Sequence, residues 1–214
     1  MCECSKSPSG IPPGKEMWND RFSSEEYVYG KEPNQFLKTS FKSEPALFQN
    51  PVLLLGDGEG RNGVYLASNG LEATSLDFSE KALEKAKRLA AEKSITLNTI
   101  LSDVNNYNFE KDSWGAIVSI FFHIDPQSRG QLHRNIKKSL IKNGTFILEA
   151  YSPRQLQFES GGPKDIDMLY TVEDLKNDFV DFDIIQLEEV ETQLNEGCLH
   201  QGKASVVRFI GRKT

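Results

Sequence analysis

A run of glycines directly after a short apolar segment is the feature that most restricts how this chain can fold. Residues 53–67 read LLLGDGEGRNGVYLA, a pattern that predicts a buried strand, a tight turn and a helix. Gly58, Gly60 and Gly63 have the spacing G-x-G-x-x-G, and Asp77 lies 19 residues beyond Gly58. This spacing is typical of α/β folds that hold a nucleotide against the turn after the first strand.

Segments with strand-like patterns alternate with segments with helix-like patterns along most of the chain. Such alternation indicates a parallel sheet with helices on both faces. The predicted strands are 51–55, 72–77, 95–101, 114–122 and 145–151. The predicted helices are 62–69, a helix with Ser79 as its N-cap, a helix from Asp125-Pro126 to a stop at Asn143-Gly144, and 171–180.

The C-terminal part departs from this alternation. Residues 183–190 and 204–210 read as two strands with no helix between them, so we expect an antiparallel hairpin with a long, polar connection. The predicted fold is therefore α/β. It is a single doubly wound, mostly parallel seven-stranded sheet, Rossmann-like, with a C-terminal antiparallel hairpin. The family resemblance described below implies, in addition, an N-terminal helical lid.

The predicted domain organisation is one folded domain after a leader. Residues 1–14 are rich in proline and glycine and are expected to form a flexible leader. Residues 15–214 then form the domain. Within it, the predicted parts are residues 15–48, 51–151 and 152–214. The family resemblance described below implies that they are an N-terminal lid, a cofactor-binding core, and an acceptor loop with the C-terminal hairpin.

Charge and hydropathy narrow the class of partner. The 214 residues carry a net charge of −6 and the basic residues are scattered, which argues against nucleic acid and anionic membrane as partners. No apolar run approaches the ~18 residues of a membrane span, and the N-terminus lacks an apolar signal core. We therefore expect a cytoplasmic protein that acts on a small molecule, and the oligomeric state is left open.

The cysteines and histidines do not suggest a metal site. The three cysteines are Cys2, Cys4 and Cys198, too few and too scattered for a disulfide framework. Cys2 and Cys4 lack further ligands nearby, and Cys198 with His200 makes only two candidate ligands on a predicted polar loop. No metal is predicted.

Two carboxylates in the glycine turn bear on which nucleotide it holds. Beside a pyrophosphate, Asp57 or Glu59 at ~5 Å would cost on the order of 3 kcal/mol at an effective dielectric near ~20. The attraction of an anion to a helix N-terminus is only ~0.3–2 kcal/mol. S-adenosylmethionine has no phosphate and presents an ammonium, a sulfonium and one carboxylate. Acidic side chains that face it would therefore attract its net positive end. The alternatives that stay open are NAD with oxidoreductase activity, and a non-catalytic nucleoside-binding module.

Three blocks in order carry a family resemblance. VLLLGDGEGRNGVYLA, ATSLDFSEKALEKAKRLA and ILSDVNNYNF resemble the first three motifs of class I S-adenosylmethionine-dependent methyltransferases. Within that superfamily the chain is similar to the tellurite-resistance-like, thiopurine-methyltransferase-like branch. Its segment WNDRFSSEEYVYGKEPNQFL resembles the N-terminal lid of that branch. The resemblance implies methyl transfer from S-adenosylmethionine to a small-molecule acceptor, a thiol or a chalcogen oxyanion. The chain departs from the first motif at Leu54, two residues before the first glycine, where the family usually carries an acid.

The resemblance also implies roles for individual residues. Asp77 would bind the ribose, Asp103 the adenine amino group and Val104 the edge of the adenine ring. The predicted cofactor-binding residues are Gly56, Asp57, Gly58, Glu59, Gly60, Asn62, Asp77, Phe78, Ser79, Asp103, Val104, Ser119, Ile120, Trp18, Arg21 and Tyr29.

The acceptor side offers one candidate catalytic residue. His123 ends the fourth predicted strand and is either a general base or a histidine that orients a loop through hydrogen bonds. Methyl transfer also proceeds by alignment alone, so a dedicated base is not required. Residues 158–169 are expected to shape the acceptor pocket, and His133 is expected to be solvated on the polar face of its helix.

Overall fold

The computed structural model describes residues 14–214. The predicted leader, with Cys2 and Cys4, lies outside this range except for Gly14. The helices are α1 (Lys15–Arg21), α2 (Gln35–Ser43), α3 (Arg61–Ser68), α4 (Glu80–Glu92), α5 (Pro126–Ser139) and α6 (Val172–Asp178). The strands are β1 (Val52–Leu55), β2 (Ala73–Asp77), β3 (Asn98–Leu101), β4 (Trp114–Ile120), β5 (Leu140–Tyr151), β6 (Phe182–Glu196) and β7 (His200–Lys213).

The strands form one sheet in the order β3-β2-β1-β4-β5-β7-β6. Strands β1 to β5 pair in parallel, and β7 pairs antiparallel with both β5 and β6. This confirms the predicted α/β fold with its C-terminal antiparallel hairpin. The chain order reverses between β1 and β4, where Leu55 pairs with Ser119. In open α/β sheets such a reversal opens a crevice at the carboxyl ends of the strands, so it is here that a ligand site is expected.

Apolar side chains cover both faces of the sheet. On one face Phe146, Phe179 and Phe209 pack together and are fully buried. On the other face Leu54 and Val118 are covered by side chains of α3 and α4. The central strands read as continuous apolar runs because both of their faces are buried.

Helix α4 begins as the sequence predicts. The Ser79 side-chain oxygen accepts a hydrogen bond from the Ala82 N–H, which satisfies one of the unpaired donors of the first turn. The buried positions of α4 include Leu83, Ala86 and Leu89, the predicted apolar stripe. The helix is thereby fixed against β2 and leads away from the end of that strand.

Helix α5 ends earlier than predicted. It stops at Ser139, and β5 begins at Leu140, which pairs with Trp114. Asn143 does adopt the predicted left-handed conformation, with φ of 63°, but within β5, where the pairing with β4 changes register. The predicted stop at Asn143-Gly144 is therefore wrong, because a left-handed residue serves a strand irregularity as readily as a helix end.

The C-terminal hairpin is longer than predicted. Strands β6 and β7 remain paired up to Glu196 opposite His200, and residues 197–199 form the turn. The predicted long polar connection is wrong, since exposed faces of paired strands are polar too. Strand β5 pairs with β7 only as far as Tyr151 opposite Val206. The hairpin tip therefore projects beyond the carboxyl edge of the sheet.

His133 is buried rather than solvated, so that prediction is wrong. It is 2% exposed and packs among the rings of Tyr170 and Phe179, because the face of α5 that carries it is covered by the α6 region. Its Nδ1 lies 2.6 Å from a carboxylate oxygen of Asp178. This hydrogen bond lowers the pKa of Asp178.

Within residues 14–214, none of the helices combines the length and the apolar character that crossing a bilayer requires.

Replacing Phe179 tests the packing of the aromatic core. Its ring centroid lies 5.2 Å from that of Phe146 and 5.0 Å from that of Phe209. We expect Phe179→Ala to lower the free energy of unfolding by about 3–5 kcal/mol, because it leaves a cavity at a fully buried site. Urea unfolding measures the change. The neighbouring Val180, which is 78% exposed, supplies the control: Val180→Ala should stay within about 0.5 kcal/mol of the unmutated protein.

Candidate functional site

The turn after β1 is built from glycines that no other residue replaces without strain. Gly56, Gly58 and Gly60 have φ of 58°, 57° and 83°. A Cβ on Gly56 would lie 2.2 Å from the Phe122 ring, and one on Gly60 would lie 2.5 Å from the Ala86 Cβ. The turn therefore brings bare backbone close to the ends of β1 and β4 and to α4. Residues 56–60 are called the glycine loop below.

Asp77 fastens the glycine loop to the second strand. One carboxylate oxygen accepts the Gly58 N–H at 2.9 Å, and the other accepts the Ser79 N–H at 2.8 Å. Burial raises the pKa of Asp77, and these backbone hydrogen bonds oppose that rise. The residue thus holds the loop, the end of β2 and the start of α4 in one geometry.

The third predicted motif lies beside Asp77. The Ser102 N–H donates to the Asp77 carbonyl at 3.0 Å, which places Asp103 and Val104 just past the end of β3, next to Phe78. Asp103 is partly exposed and accepts the Asn105 N–H, whereas Val104 is buried. The structure therefore brings the second and third motifs together at one edge of the crevice.

Two further predicted residues end β4. Ser119 and Ile120 are 3% and 9% exposed. Ser119 pairs with Leu55, the residue that directly precedes Gly56 in the chain. The two residues therefore lie beside the glycine loop, at the strand ends where the ligand site is expected.

Asp57 points into the protein beneath the loop. Its Oδ2 accepts the Ser75 hydroxyl at 2.5 Å and the Gly63 N–H at 3.1 Å. Its Oδ1 is buried, and no group within residues 14–214 donates a hydrogen bond to it. Burial raises the pKa of this carboxyl to about 7, against the effect of the two hydrogen bonds. Its predicted role as an acid that faces the cofactor is therefore corrected: the carboxyl group supports the loop from below, because Ser75 and the start of α3 supply its donors.

Glu59 also turns away from the crevice. It is 3% exposed, and its two oxygens accept the N–H groups of Val28 and Tyr29, each at 3.2 Å. Its Oε1 also forms an ion pair with the Lys85 ammonium at 2.5 Å. The prediction that the Glu59 side chain contacts the cofactor is corrected: its hydrogen-bonding capacity is taken up by residues that are distant in sequence.

Asn62 holds the same N-terminal segment. Its side-chain oxygen accepts the Asn34 N–H at 2.9 Å, and the residue is 4% exposed. The prediction that Asn62 binds the cofactor stays a prediction, and the side-chain oxygen of this residue is directed to the chain before α2. Glu59 and Asn62 therefore bind the segment that precedes α2, at Val28, Tyr29 and Asn34.

Helix α1 and the chain after it lie over the glycine loop. Trp18 stacks on Phe22 with ring centroids 5.3 Å apart, and a Cβ on Gly58 would lie 3.5 Å from the Phe22 ring. The Ser79 hydroxyl donates to the Asn19 side chain at 2.7 Å. Arg21 lies over the Trp18 ring at 4.6 Å. The predicted lid residues Trp18 and Arg21 are thus brought close to the glycine loop and to the start of α4.

Tyr29 completes this aromatic cover. Its ring centroid lies 6.3 Å from that of Phe22 and 4.6 Å from that of His200. An Arg21 nitrogen lies 3.4 Å from the Tyr29 hydroxyl. Burial raises the pKa of Tyr29, so its hydroxyl stays protonated at neutral pH.

Phe121, which the sequence reasoning missed, marks the acceptor side. It directly follows β4 and has φ of 52°, an unusual conformation for a bulky residue. Its N–H donates to the Glu149 carbonyl, and its ring lies 4.6 Å from that of Tyr151 and 4.7 Å from that of His200. Strained backbone of this kind is concentrated at functional sites, so the turn at Phe121 is a candidate wall of the acceptor pocket.

His123 has neither ring nitrogen available. Its Nε2 accepts the Tyr151 N–H at 3.1 Å, and its Nδ1 lies 3.2 Å from the Phe121 carbonyl, to which it donates in this tautomer. Burial lowers the pKa of His123 to about 4, so the ring is neutral at pH 7. This geometry favours the alternative of a loop-orienting histidine over a general base.

A buried polar network behind the lid was also missed. The Asn34 side-chain amide donates to Glu149 at 2.7 Å and to Glu196 at 2.9 Å. Glu149 pairs with Arg208 at 2.6 Å, and Glu196 with Arg61 at 2.7 Å. Glu149 within the apolar run FILEAY was a usable signal, because a carboxylate in a buried strand needs partners.

His200 lies beside this network. It starts β7, is 7% exposed and lies 3.5 Å from a Glu196 oxygen. Burial lowers the pKa of His200. Burial works to raise the pKa of Glu196, but His200 and Arg61 outweigh it and hold that pKa at about 2. Across residues 14–214, no three His, Cys, Asp or Glu side chains lie close enough together to hold a metal ion.

The predicted acceptor loop packs beside Tyr151. The Tyr151 hydroxyl donates to the Ser160 carbonyl at 3.1 Å, and Ser160 donates to the Lys203 carbonyl of the hairpin at 2.8 Å. A Cβ on Gly161 would lie 3.0 Å from the His200 ring. The loop therefore borders the same aromatic group as Phe121.

Comparison with known proteins gives the following relatives. Residues 52–144 match a family described as a methyltransferase domain. The probable S-adenosyl-L-methionine-dependent methyltransferase TehB of Haemophilus influenzae is 26% identical over 153 residues, which are 70% of this chain and 50% of that protein. A 2-heptyl-1-hydroxyquinolin-4(1H)-one methyltransferase of Mycobacteroides abscessus is 29% identical over 115 residues, 52% of this chain and 51% of that protein. The chain spans about half the length of these curated relatives.

Solved structures share the fold. A structure described in connection with the conversion of a disulfide bond into a thioacetal group during echinomycin biosynthesis superposes with a TM-score of 0.75 at 13% identity, covering 93% of this chain and 89% of that one. The crystal structure of TehB from Haemophilus influenzae superposes with a TM-score of 0.66 at 18% identity, covering 94% of this chain and 67% of that one. Taken with the sequence matches, these findings confirm the predicted resemblance to class I methyltransferases of the TehB-like branch.

The Asp57 carboxyl group should make stability depend on pH. Its pKa is raised in the folded protein, so the protonated form stabilises the fold fully below pH ~4, and that contribution is lost as pH rises toward about 7. We expect the stability of the unmutated protein, relative to Asp57→Asn, to fall over this interval by at most about 4 kcal/mol. Urea unfolding of both proteins at several pH values measures the difference. A difference that does not change with pH would contradict the raised pKa.

Proposed function

We propose that this chain, whose residues 52–144 match a methyltransferase domain, transfers a methyl group from S-adenosylmethionine to a small-molecule acceptor. The observation that carries the proposal is the placement of three motifs at adjacent strand ends. The glycine loop follows β1, Asp77 ends β2 and Asp103 follows β3, with a hydrogen bond from Gly58 to Asp77 between the first two.

In this proposal, each motif would hold one part of the cofactor. The bare backbone of Gly56 and Gly58 would face the amino-acid portion, which a Cβ would keep at a distance. Asp77 would accept hydrogen bonds from the ribose hydroxyls. Phe78 and Val104 would flank the adenine ring, with Asp103 near its amino group.

The charge argument for this cofactor changes with the structure. Lys85 neutralises Glu59, and burial keeps Asp57 partly protonated at neutral pH, so the loop acids attract a cation less than their number suggests. The lid supplies another attraction, because a sulfonium near the Trp18 or Tyr29 ring gains about 0.5–2 kcal/mol. The family match and the acids at the ends of β2 and β3 therefore support S-adenosylmethionine more strongly than the loop charges do.

The alternatives have less support. An NAD-dependent oxidoreductase would need a pyrophosphate beside the glycine loop and a catalytic set for hydride transfer. His123, the residue nearest to such a role, has both ring nitrogens hydrogen-bonded to the backbone. A non-catalytic nucleoside-binding module would leave the wall of Phe121, Tyr151 and residues 158–169 without a purpose.

The chain's own residues would act by holding and shielding the reactants. S-adenosylmethionine supplies an activated methyl group and a neutral leaving group. The Phe121 turn and Tyr151 would exclude water on the acceptor side, and the lid would close the opposite side. With His123 engaged, rate acceleration would come from proximity and alignment, which suits an acceptor that is already nucleophilic.

A thiol or a chalcogen oxyanion is such an acceptor. Both are soft nucleophiles that attack a methyl sulfonium without a protein base once deprotonated. The scattered surface charge favours a small molecule over nucleic acid, and the cytoplasmic location belongs to the same proposal.

Calorimetry with Asp77→Asn tests the cofactor site. We expect S-adenosylhomocysteine to bind the unmutated protein and to bind the variant more weakly by about 1–3 kcal/mol, because a charged hydrogen-bond acceptor is lost. Glu80→Gln, at an exposed position three residues further along the chain, is the control and should leave the affinity unchanged. Binding of NAD without binding of S-adenosylhomocysteine would overturn the proposal.

The pH dependence of methyl transfer tests the absence of a general base. We expect kcat/KM for an aryl thiol and for an alkyl thiol to rise with pH up to the thiol pKa of each acceptor. His123 should add no break between pH 5 and 8, because its pKa is about 4. A break near pH ~6.5, common to both acceptors and abolished in His123→Asn, would instead identify His123 as the base.

A further inference from the structure

Lys85 carries a buried ammonium group that the proposed chemistry does not use. The residue lies within α4 and is 3% exposed. Its Nζ contacts the Glu59 carboxylate at 2.5 Å, the Ser24 carbonyl at 3.0 Å and the Glu26 carbonyl at 2.5 Å. The three oxygens can accept the three protons of the ammonium, and all belong to segments outside α4.

Glu59 extends this contact into the lid. Its carboxylate accepts the N–H groups of Val28 and Tyr29 as well as the Lys85 ammonium. One buried ion pair therefore joins the glycine loop, α4 and residues 24–29, which are called the lid anchor below. A buried pair repays the loss of hydration only when its remaining donors and acceptors are satisfied, as they are here.

The other contacts of the lid anchor are more exposed. The Tyr27 hydroxyl donates to the Lys85 carbonyl at 3.0 Å, and Arg88 of α4 forms an exposed ion pair with Glu25 at 2.6 Å. At the hairpin tip, the N–H and the thiol of Cys198 lie 2.9 Å and 3.5 Å from the Val28 carbonyl.

The Lys85–Glu59 pair differs from these contacts because both of its side chains are buried. An exposed ion pair contributes little, so the buried pair is the charged contact of the anchor whose removal we expect to matter most.

The anchor decides where the aromatic cover lies. Tyr29 is the last residue of the anchor, and its ring packs on Phe22 and His200. Phe22 in turn lies over Gly58 and stacks on Trp18. A shift of the anchor would therefore move the rings that close the crevice.

We propose that Lys85 and Glu59 are a positioning pair that holds the lid anchor against the glycine loop and thereby sets how long the lid retains a bound nucleoside. Neither residue touches the reacting atoms. The inference rests on the proposed function in one respect: the retained nucleoside is the cofactor of methyl transfer.

The test replaces both charges at once, so that no unpaired charge stays buried. The variant is Glu59→Gln/Lys85→Met, and the control is Lys81→Met/Glu84→Gln, an exposed ion pair on the same helix. All proteins carry Trp114→Phe, which leaves Trp18 as the only tryptophan. Measurements are made far below the unfolding midpoint, with circular dichroism confirming the fold.

Two readouts report the lid rather than the fold. We expect acrylamide to quench Trp18 more strongly in the Glu59/Lys85 variant than in the control. We also expect S-adenosylhomocysteine to dissociate about tenfold faster, because a loosened lid changes the off-rate first. Quenching and dissociation rates equal to those of the control would overturn the proposal.

Hydrogen exchange in the unmutated protein provides an independent test should the variant fail to fold. The amides of Val28 and Tyr29 should exchange about tenfold more slowly when S-adenosylhomocysteine is added. If the lid anchor must open before the nucleoside leaves, a bound nucleoside must also make opening of the anchor less frequent. Unchanged exchange on saturation would overturn the proposal. If the unmutated protein does not bind S-adenosylhomocysteine, the methyl-transfer proposal fails. Trp18 quenching without ligand then still decides whether the pair positions the lid.

Discussion

The hydrogen bond from the Gly58 amide to the Asp77 carboxylate is the interaction on which the rest of the site depends. It joins the turn after β1 to the end of β2 at 2.9 Å, and the left-handed backbone of Gly58 makes the close approach possible. The other oxygen of the same carboxylate receives the Ser79 N–H and so fixes the start of α4. The loop, the second strand and the helix that carries Lys85 are therefore held together, and the lid is attached to that unit.

Charge in the site is turned inward and largely neutralised. Glu59, Glu149 and Glu196 each pair with a basic side chain, and Asp57 is buried with a raised pKa. Groups of this kind stabilise a fold only when their partners are complete, so they link distant segments in a specific arrangement. They bind the lid and the hairpin tip to the sheet, so the proposed cofactor site consists mainly of aromatic rings, backbone and the strand-end acids.

Much of the fold could be predicted because it follows from local pattern. The alternation of apolar strands and amphipathic helices, the Ser79 cap and the left-handed glycines all depend on residues within a few positions of one another. The errors arose where one local signal has two uses. Asn143 is left-handed within a strand rather than at a helix end, and polar residues near His200 belong to paired strands rather than to a loop.

The sequence by itself determined the order of the elements, the glycine turn and the three strand ends at which the site lies, since these depend on backbone conformation and periodicity. Only the tertiary structure decided which way the charged and imidazole groups point. The partners of Glu59 lie about thirty residues away at Val28 and Tyr29, and Arg61 meets Glu196 across 135 residues. A side chain's role depends on which donors and acceptors the fold brings to it, and no local pattern records that. For this reason the Glu59 side chain, expected to face the cofactor, binds the chain at Val28 and Tyr29, and His123, for which two roles were open, is hydrogen-bonded to the backbone.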